Sequence, residues 1–143
     1  MSLRTAEFAQ RFIVALDTLE RRGQSGVGQM VNLFSPMARL VNPMLRHVGR
    51  ELTGEVGAWE FWSEYRATFR EVHSHFHEVT TADRAAGLFW TTRGVDLNGT
   101  PIEYDGASLL VYEDDGLIIY FRGYFDSRDL GLRLSGLRCR GGH

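Results

Sequence analysis

The hydrophobic period of this sequence changes close to residue 71, and this change restricts the possible folds more than any other feature. Before it, Trp59, Trp62 and Phe69 belong to a stripe that recurs every three or four residues, which predicts an amphipathic helix over residues 55–70. After it, apolar and polar residues alternate, which predicts strands. The predicted strands are residues 72–80, 85–97, 107–112 and 117–126. Their short connections favour antiparallel neighbours, so the second half predicts a meander.

The first half of the chain is mainly helical by the same criterion. Phe8, Phe12 and Leu16 lie on one stripe of a helix that begins near Thr5 and ends at Gly23. A short second helix follows, then a short strand over residues 37–42, and residues 46–52 are predicted as a loop or short strand. This order predicts an α+β fold, a cone in which a curved, mostly antiparallel sheet wraps around the N-terminal helices. Such a half-closed sheet leaves an apolar cavity, the usual form of a small-molecule site.

Composition limits the classes of partner. Of the 143 residues, 43% are hydrophobic and 24% charged, which suits a single globular core. A net charge of −2 leaves no broad basic surface for nucleic acid, and no stretch reaches the ~18 apolar residues of a membrane span. Cys139 is the single cysteine, so no disulfide can form within the chain. We therefore expect one cytoplasmic domain over residues 1–143, with a core at 5–135 and a flexible tail at 136–143.

The last predicted strand carries the first candidate for chemistry. Arg122, Tyr124 and Asp126 occupy alternate positions and share one face of a regular strand. If Asp126 points into the cavity, its carboxylate can take a proton from carbon or activate a water. The alternative is that Asp126 caps the following turn or pairs with Arg128 on the surface.

Three histidines on the first long strand are a second candidate. His73, His75 and His77 share one face and could hold zinc with an open position for water. Residues two apart on a strand are spaced ~6–7 Å, which suits adjacent metal ligands poorly. The opposite face carries the more core-like set, Val72, Ser74 and Phe76. We therefore expect the histidines to face outward, and we expect no metal or other cofactor.

Several other polar and aromatic residues are candidates for the cavity wall. Asn42 precedes Pro43, and its amide can hold a water or a carbonyl oxygen, or satisfy the local backbone. Arg93 and Asp96 fall on opposite strand faces and make no ready acid–base pair. The larger aromatic residues are mostly core, although some can line a cavity. The aromatic candidates are Trp62, Tyr65, Phe76 and Trp90.

Three stretches resemble one known superfamily. They are TGEVGAWEFWSEYRATF, GLFWTTRGVDLNG and EDDGLIIYFRGYFDSRDL, and they correspond to a helix entry, a central strand with its hairpin, and a final strand. Their order and spacing are similar to the nuclear-transport-factor-2-like superfamily, especially its SnoaL-like polyketide cyclase and limonene-epoxide hydrolase branches. The likeness covers roughly residues 5–135 and implies a cystatin-like or SnoaL-like α+β barrel.

The resemblance also implies roles for individual residues. Asp126 matches the aspartate that closes the last strand and often serves as catalytic acid or base. Asn42 matches an asparagine that positions water in the epoxide hydrolases. Thr92 and Gly94 stand where those hydrolases carry an arginine and a second aspartate, so their reaction is not expected. Members of the superfamily commonly dimerise through the outer sheet face, which carries the three histidines in this alignment.

The resulting prediction is a cofactor-independent cyclase, isomerase or hydrolase acting on a small hydrophobic substrate. Asp126 would be the general acid or base, and Asn42 its catalytic companion. The ligand-binding residues would be Tyr124, Arg122, Trp90, Thr92, Trp62, Tyr65 and Phe76. The alternative is a non-catalytic module of the same fold that binds a ligand or simply dimerises.

Overall fold

The structure is a computed structural model that describes residues 3–129. The helices are α1 (Leu3–Arg22), α2 (Val27–Val31), α3 (Pro43–His47) and α4 (Gly54–Ala67), with a 3-10 turn at Gly23–Gly26. The strands are β1 (Phe34–Val41), β2 (Leu52–Thr53), β3 (Phe69–Thr81), β4 (Ala85–Asp96), β5 (Pro101–Tyr112) and β6 (Ile118–Phe125). The predicted tail at 136–143, with Cys139, lies outside the described residues.

The strands form one six-stranded sheet in the order β2-β1-β6-β5-β4-β3. β3 to β6 are successive antiparallel neighbours, which confirms the predicted meander. β1 lies parallel to β6, and β2 pairs antiparallel with β1. The α+β class and the curved, unclosed sheet are as predicted.

The segment around Asn42 and Pro43 differs from the prediction. Residues 43–47 form the short helix α3, because Asn42 caps it by accepting a hydrogen bond from the Leu45 amide at 2.9 Å and Pro43 occupies its first turn. β1 also begins earlier than predicted, at Phe34, and includes Pro36. A register shift against β6 leaves Pro36 outside the paired positions, so its missing N–H costs the ladder no bond.

The core lies between the helices and the inner face of the sheet. Phe121 on β6 stands at its centre, with ring centroids of Phe12 on α1 at 5.7 Å, Phe61 on α4 at 5.5 Å and Trp62 at 5.1 Å. These contacts are mostly edge-on, the geometry that aromatic pairs prefer. The helices cover the inner sheet face as expected, but the stripe predicted for α4 is corrected: Trp59 is 50% exposed, Phe69 belongs to β3, and Phe61 packs beside Trp62 instead.

No helix within residues 3–129 combines the length and apolar character needed to cross a membrane.

Candidate functional site

The helices leave a cavity of about 240 Å³ against the inner face of the sheet. Met44 on α3 and Glu64 on α4 belong to its lining and are exposed, so the cavity opens to solvent between these two helices. The wall is mainly aromatic and includes Trp62, Tyr65, Phe76, Trp90, Tyr104 and Phe125. An apolar cavity of this kind with a few polar groups has the form of a small-molecule site.

Six of the residues proposed from the sequence line this cavity. They are Asn42, Trp62, Tyr65, Phe76, Trp90 and Thr92. They come from β3, β4, α4 and the loop after β1, so the fold brings together positions that are distant in the chain. Their part in binding a ligand remains a prediction.

The prediction for the last strand had the faces reversed. Gly123 and Phe125 line the cavity, whereas Tyr124 is 43% exposed on the outer face. The Arg122 guanidinium lies 4.5 Å from the centroid of the Tyr124 ring, and neither side chain belongs to the lining. Tyr124 and Phe125 are adjacent and both aromatic, so alternation alone does not assign the inner face. The burial of Phe121 assigns it to the odd positions.

Asp126 follows the same parity and lies on the surface, outside the cavity lining. Its Oδ1 accepts hydrogen bonds from the backbone N–H and Nε of Arg128, both at 3.0 Å, and its Oδ2 accepts from Nη2 at 2.8 Å. The side-chain hydrogen bonds from Arg128, followed by the backbone bond, lower the pKa of Asp126 to about 2. The expectation that Asp126 points into the cavity is therefore corrected, and the surface alternative describes its surroundings.

Asn42 satisfies the local backbone and also lies in the cavity lining, and its use toward a ligand stays a prediction. Its Cβ lies 3.9 Å from where a side chain on Gly123 would begin. Its Oδ1 caps α3 through the Leu45 amide. The amide NH₂ is thus the group that Asn42 can offer to a ligand.

Sequence reasoning missed a buried carboxylate, Glu20, near the end of α1. Its exposed fraction is 3%, and three donors surround it. Oε2 accepts from the Tyr65 hydroxyl and from Ser74 Oγ, each at 2.6 Å, and Oε1 accepts from the Ser74 amide at 2.8 Å. The sequence could have indicated its burial, because Glu20 follows Phe12 and Leu16 at four-residue intervals and thus lies on the apolar stripe of its helix.

Glu20 stands behind a polar wall, defined here as Tyr65, Ser74 and Thr92, all of which line the cavity. Ser74 Oγ lies 2.7 Å from Thr92 Oγ1, which extends the hydrogen bonds from Glu20 onto β4. Burial, then the nearby Glu20 charge, raises the pKa of Tyr65 well above its ordinary value. The same two causes raise the pKa of Tyr104, so both phenols keep their protons at neutral pH.

A second pair of polar groups in the cavity joins Trp90 to Ser108. The indole Nε1 donates to Ser108 Oγ at 3.0 Å, so the hydroxyl proton of Ser108 is not used in this bond. Trp90 packs closely over β5, because a Cβ at Gly106 would lie 2.4 Å from its ring. The absence of a side chain at Gly106 therefore leaves the space that the indole occupies.

Arg93 and Asp96 lie on opposite faces, as the strand period predicted. Arg93 Nε lies 2.9 Å from Glu103 Oε1 on the exposed side. Asp96 is 1% exposed, and its Oδ1 accepts from the amides of Asn98 and Thr100, both at 2.9 Å. Asp96 thus holds the turn after β4.

The three histidines of β3 are exposed, which confirms their outward orientation. The ring centroids of His75 and His77 are 6.0 Å apart, and His77 Nε2 lies 3.3 Å from Thr91 Oγ1. Among residues 3–129, no group of three or more His, Cys, Asp or Glu side chains has the arrangement of a metal site.

Solved structures of known proteins share this fold. A hypothetical protein from Catenulispora acidiphila with a ketosteroid isomerase-like fold, in complex with trimethylamine, is 18% identical with a TM-score of 0.71, over 89% of this chain and 93% of that one. TerC co-crystallised with polyporic acid is 16% identical with a TM-score of 0.74, over 92% and 98%. A nuclear-transport-factor-2-like protein of unknown function from Burkholderia pseudomallei is 18% identical with a TM-score of 0.74, over 94% and 98%.

At these identities the likeness establishes the fold alone. Among curated protein sequences, the comparison found no match. A family model described as the SnoaL-like domain matches residues 10–121, which is most of the chain and includes α4, β3 to β5 and the first half of β6. The resemblance stated from the sequence is thereby confirmed, and the chain belongs to the SnoaL-like domain family.

Proposed function

We propose that this protein binds a small, mostly apolar molecule with an aromatic ring in the cavity between α4 and the inner sheet face. The observation that carries the proposal is the aromatic cavity of about 240 Å³ with a mouth beside Met44 and Glu64. Aromatic walls favour a flat apolar ligand, because ring contacts add to the free energy of burying its surface. The polar wall gives such a ligand an orientation.

Two solved structures of the same fold support the proposal that the ligand is a small organic molecule. The Catenulispora acidiphila protein was crystallised in complex with trimethylamine, and TerC was co-crystallised with polyporic acid. Each is a small organic molecule. Neither identifies the ligand of this chain.

A second candidate function is catalysis by proton transfer in the same cavity, of the cyclase, isomerase or hydrolase kind. The buried carboxylate of Glu20 favours it, because Glu20 is joined to the cavity by the hydroxyls of Tyr65 and Ser74. A ligand proton could pass to a hydroxyl oxygen while the hydroxyl proton passes to Glu20. Asp126 is less suited to the role, since it lies outside the lining and its pKa of about 2 makes it a weak base.

Filling the cavity tests the binding proposal. The Gly123→Leu variant directs a side chain into the cavity, and its Cβ fits at ordinary contact distance, 3.8 Å from Phe125. We expect calorimetry to detect binding of β-naphthyl methyl ether by the parent protein and to detect loss of at least tenfold in affinity in Gly123→Leu. The matched control is Tyr124→Phe on the outer face, which we expect to bind as the parent does. Equal affinity in Gly123→Leu and the parent would contradict the proposal.

We also propose that two copies associate through the outer sheet face. The supporting feature is an outer strip, defined as Phe89, Ala107 and Tyr124, which are direct neighbours across β4, β5 and β6. Phe89 and Tyr124 are 40% and 43% exposed, so a partner could bury apolar surface there.

A further inference from the structure

We infer that the ligand of this cavity carries a hydroxyl group, of a phenol or an enol, that donates a hydrogen bond to the polar wall. The inference rests on the proposed binding function and adds the chemistry of the ligand's polar end. It follows from the direction of the hydrogen bonds that run from the wall to Glu20.

The donors around Glu20 set the direction of its hydrogen bonds. The Ser74 backbone N–H can only donate, so Oε1 of Glu20 is an acceptor at 2.8 Å. The Tyr65 phenol keeps its proton, because burial raises its pKa, and donates to Oε2 at 2.6 Å. The Ser74 hydroxyl donates to the same oxygen, also at 2.6 Å. In these three hydrogen bonds Glu20 is the acceptor each time.

The donor in the next hydrogen bond, between Ser74 and Thr92, follows from the bond that Ser74 makes to Glu20. Ser74 has a single hydroxyl proton, and that proton is used toward Glu20. The 2.7 Å contact between Ser74 Oγ and Thr92 Oγ1 must therefore use the proton of Thr92. The opposite arrangement would leave Ser74 Oγ facing the carboxylate with no proton between two acceptors.

Tyr65 and Thr92 consequently have no hydroxyl proton left for a ligand. Both line the cavity, and both offer it only oxygen lone pairs. A ligand group that meets them must itself donate. A carbonyl or ether oxygen at this place would face further acceptors and would bind less well.

Tyr104, the neighbour of Thr92 on β5, explains why a ligand hydroxyl suits the site better than an ammonium group. Ser74 pairs with Thr92 across β3 and β4, and Thr92 pairs with Tyr104 across β4 and β5. Tyr104 lines the cavity and keeps its phenolic proton, because burial raises its pKa. A ligand hydroxyl can donate to Thr92 and accept from Tyr104, whereas an ammonium group has no acceptor for that proton.

The test compares two probes that share a ring system and differ in the donor. β-Naphthol has the hydroxyl proton, and β-naphthyl methyl ether has a methyl group in its place. We expect the parent protein to bind β-naphthol roughly fivefold to tenfold more tightly in calorimetry, which is the worth of one net hydrogen bond. β-Ethylnaphthalene, which has the shape of the ether without its oxygen, controls for size.

Substitutions in the wall should change the preference between the probes more than the affinity for both. Thr92→Val keeps the shape and removes the acceptor, so the preference for β-naphthol should fall to about twofold or less. Thr91→Val is the matched control, because Thr91 lies on the outer face of the same strand, where it donates to Asp105. This control should keep the full preference.

The Glu20→Gln variant tests whether Glu20 orients the hydroxyl protons of the polar wall or only stabilises the fold. The amide NH₂ supplies donors to Tyr65 or Ser74, which frees hydroxyl protons to point into the cavity. The preference should therefore move toward the ether, whereas general loosening of the fold would weaken both probes equally. Should Thr92→Val fail to fold, Tyr65→Phe provides the same comparison, because it also removes one acceptor.

The outcomes are distinguishable. Measurable binding of both probes with equal affinity would overturn the hydroxyl inference and leave the cavity as an apolar ligand site. Binding of neither naphthol, ether nor ethylnaphthalene would overturn the proposed function, and with it this inference. A preference for β-naphthol that survives unchanged in Thr92→Val and Tyr65→Phe would also overturn it.

Discussion

The outer and inner faces of the sheet differ in the polar side chains that they carry. On β3, the outer positions are exposed histidines such as His75, while the inner positions are Ser74 and Phe76. On β6, the outer face ends in Tyr124 and the surface pair around Asp126, while the inner face is apolar. The titratable groups that are conspicuous in the sequence thus lie outside the cavity, and the one carboxylate that serves its wall is hidden in a helix.

The cost of burying charge explains this division. A carboxylate taken out of water is tolerated only where several donors converge on it. Glu20 meets that condition through Tyr65 and the two donors of Ser74. Asp126 does not need it, because water and Arg128 solvate it at the surface. A hydroxyl-lined wall in front of a buried carboxylate gives the inner end of the cavity its polarity, while Glu64 is an exposed carboxylate at the mouth.

The largest difference between the faces should be in stability, tested at adjacent positions of β6. Phe121→Ala removes a ring packed against Phe12, Phe61 and Trp62, and should lower the free energy of unfolding by about 3–5 kcal/mol. Tyr120→Ala on the outer face removes a partly buried ring that makes a cation–π contact with Arg39, and should cost clearly less, about 1–2 kcal/mol. Urea unfolding measures both. Similar costs for the two would mean that the faces do not differ as described.

The next largest effect should come from the buried carboxylate. Glu20→Ala leaves its donors on Tyr65 and Ser74 without their acceptor, and should cost about 1–3 kcal/mol in the free energy of unfolding. Glu7→Ala, at an exposed position of the same helix, should change it by less than about 0.5 kcal/mol. Chemical unfolding of the two variants provides the comparison. If Glu20→Ala left the free energy of unfolding unchanged, the hydrogen bonds proposed between Glu20 and the polar wall would be contradicted.

Charge on the outer strip should affect assembly and leave the cavity alone. Phe89→Glu places a carboxylate opposite its own copy in a symmetric contact, and should raise the dimer dissociation constant about tenfold or more. Val56→Glu, at a highly exposed position on α4, is the matched control and should leave the constant unchanged. Analytical ultracentrifugation measures it. A parent protein that is monomeric at all concentrations would contradict the proposed association.

The smallest effect is expected at Asp126. Asp126→Asn should leave probe affinity unchanged, because the side chain lies outside the cavity lining. The pKa of Asp126 is lowered to about 2, so its contribution to stability is present above the ordinary carboxylate value near pH 4 and is lost as the pH falls toward 2. NMR titration of the carboxyl carbon should give a midpoint near 2. A midpoint near or above 4 would mean that the contact with Arg128 does not form in solution.

The meander could be predicted because its causes are local. Alternation assigns each strand from its own residues, and the Asn98-Gly99 turn has Gly99 at a φ of 84°, a conformation that glycine adopts easily. The helix α3 could also have been found, because Asn42 followed by Pro43 is a helix start. The short length of α3, one turn, makes its hydrophobic pattern uninformative.

The site itself could be predicted only in part, because its polar wall is not local. Trp62 and Trp90 were predicted because large aromatic residues on the expected elements can line a cavity, and Thr92 because it aligns with a site residue of the related hydrolases. The face of β6 depended on Phe121 and could not be read from the two adjacent aromatic residues beyond it. The hydrogen bonds of Glu20 join residues 45 and 54 positions apart, and no spacing rule reports such a pairing.

The bonds of Glu20 have a consequence for the order of folding. Tyr65 is 45 residues and Ser74 is 54 residues from Glu20, so α1 must dock on both α4 and β3 before the wall exists. The strands of the meander can pair earlier, since each joins its neighbour over a short connection. A refolding chain should therefore acquire the meander of β3 to β6 first and its affinity for ligand last, and a ligand should slow unfolding by holding α1 in place.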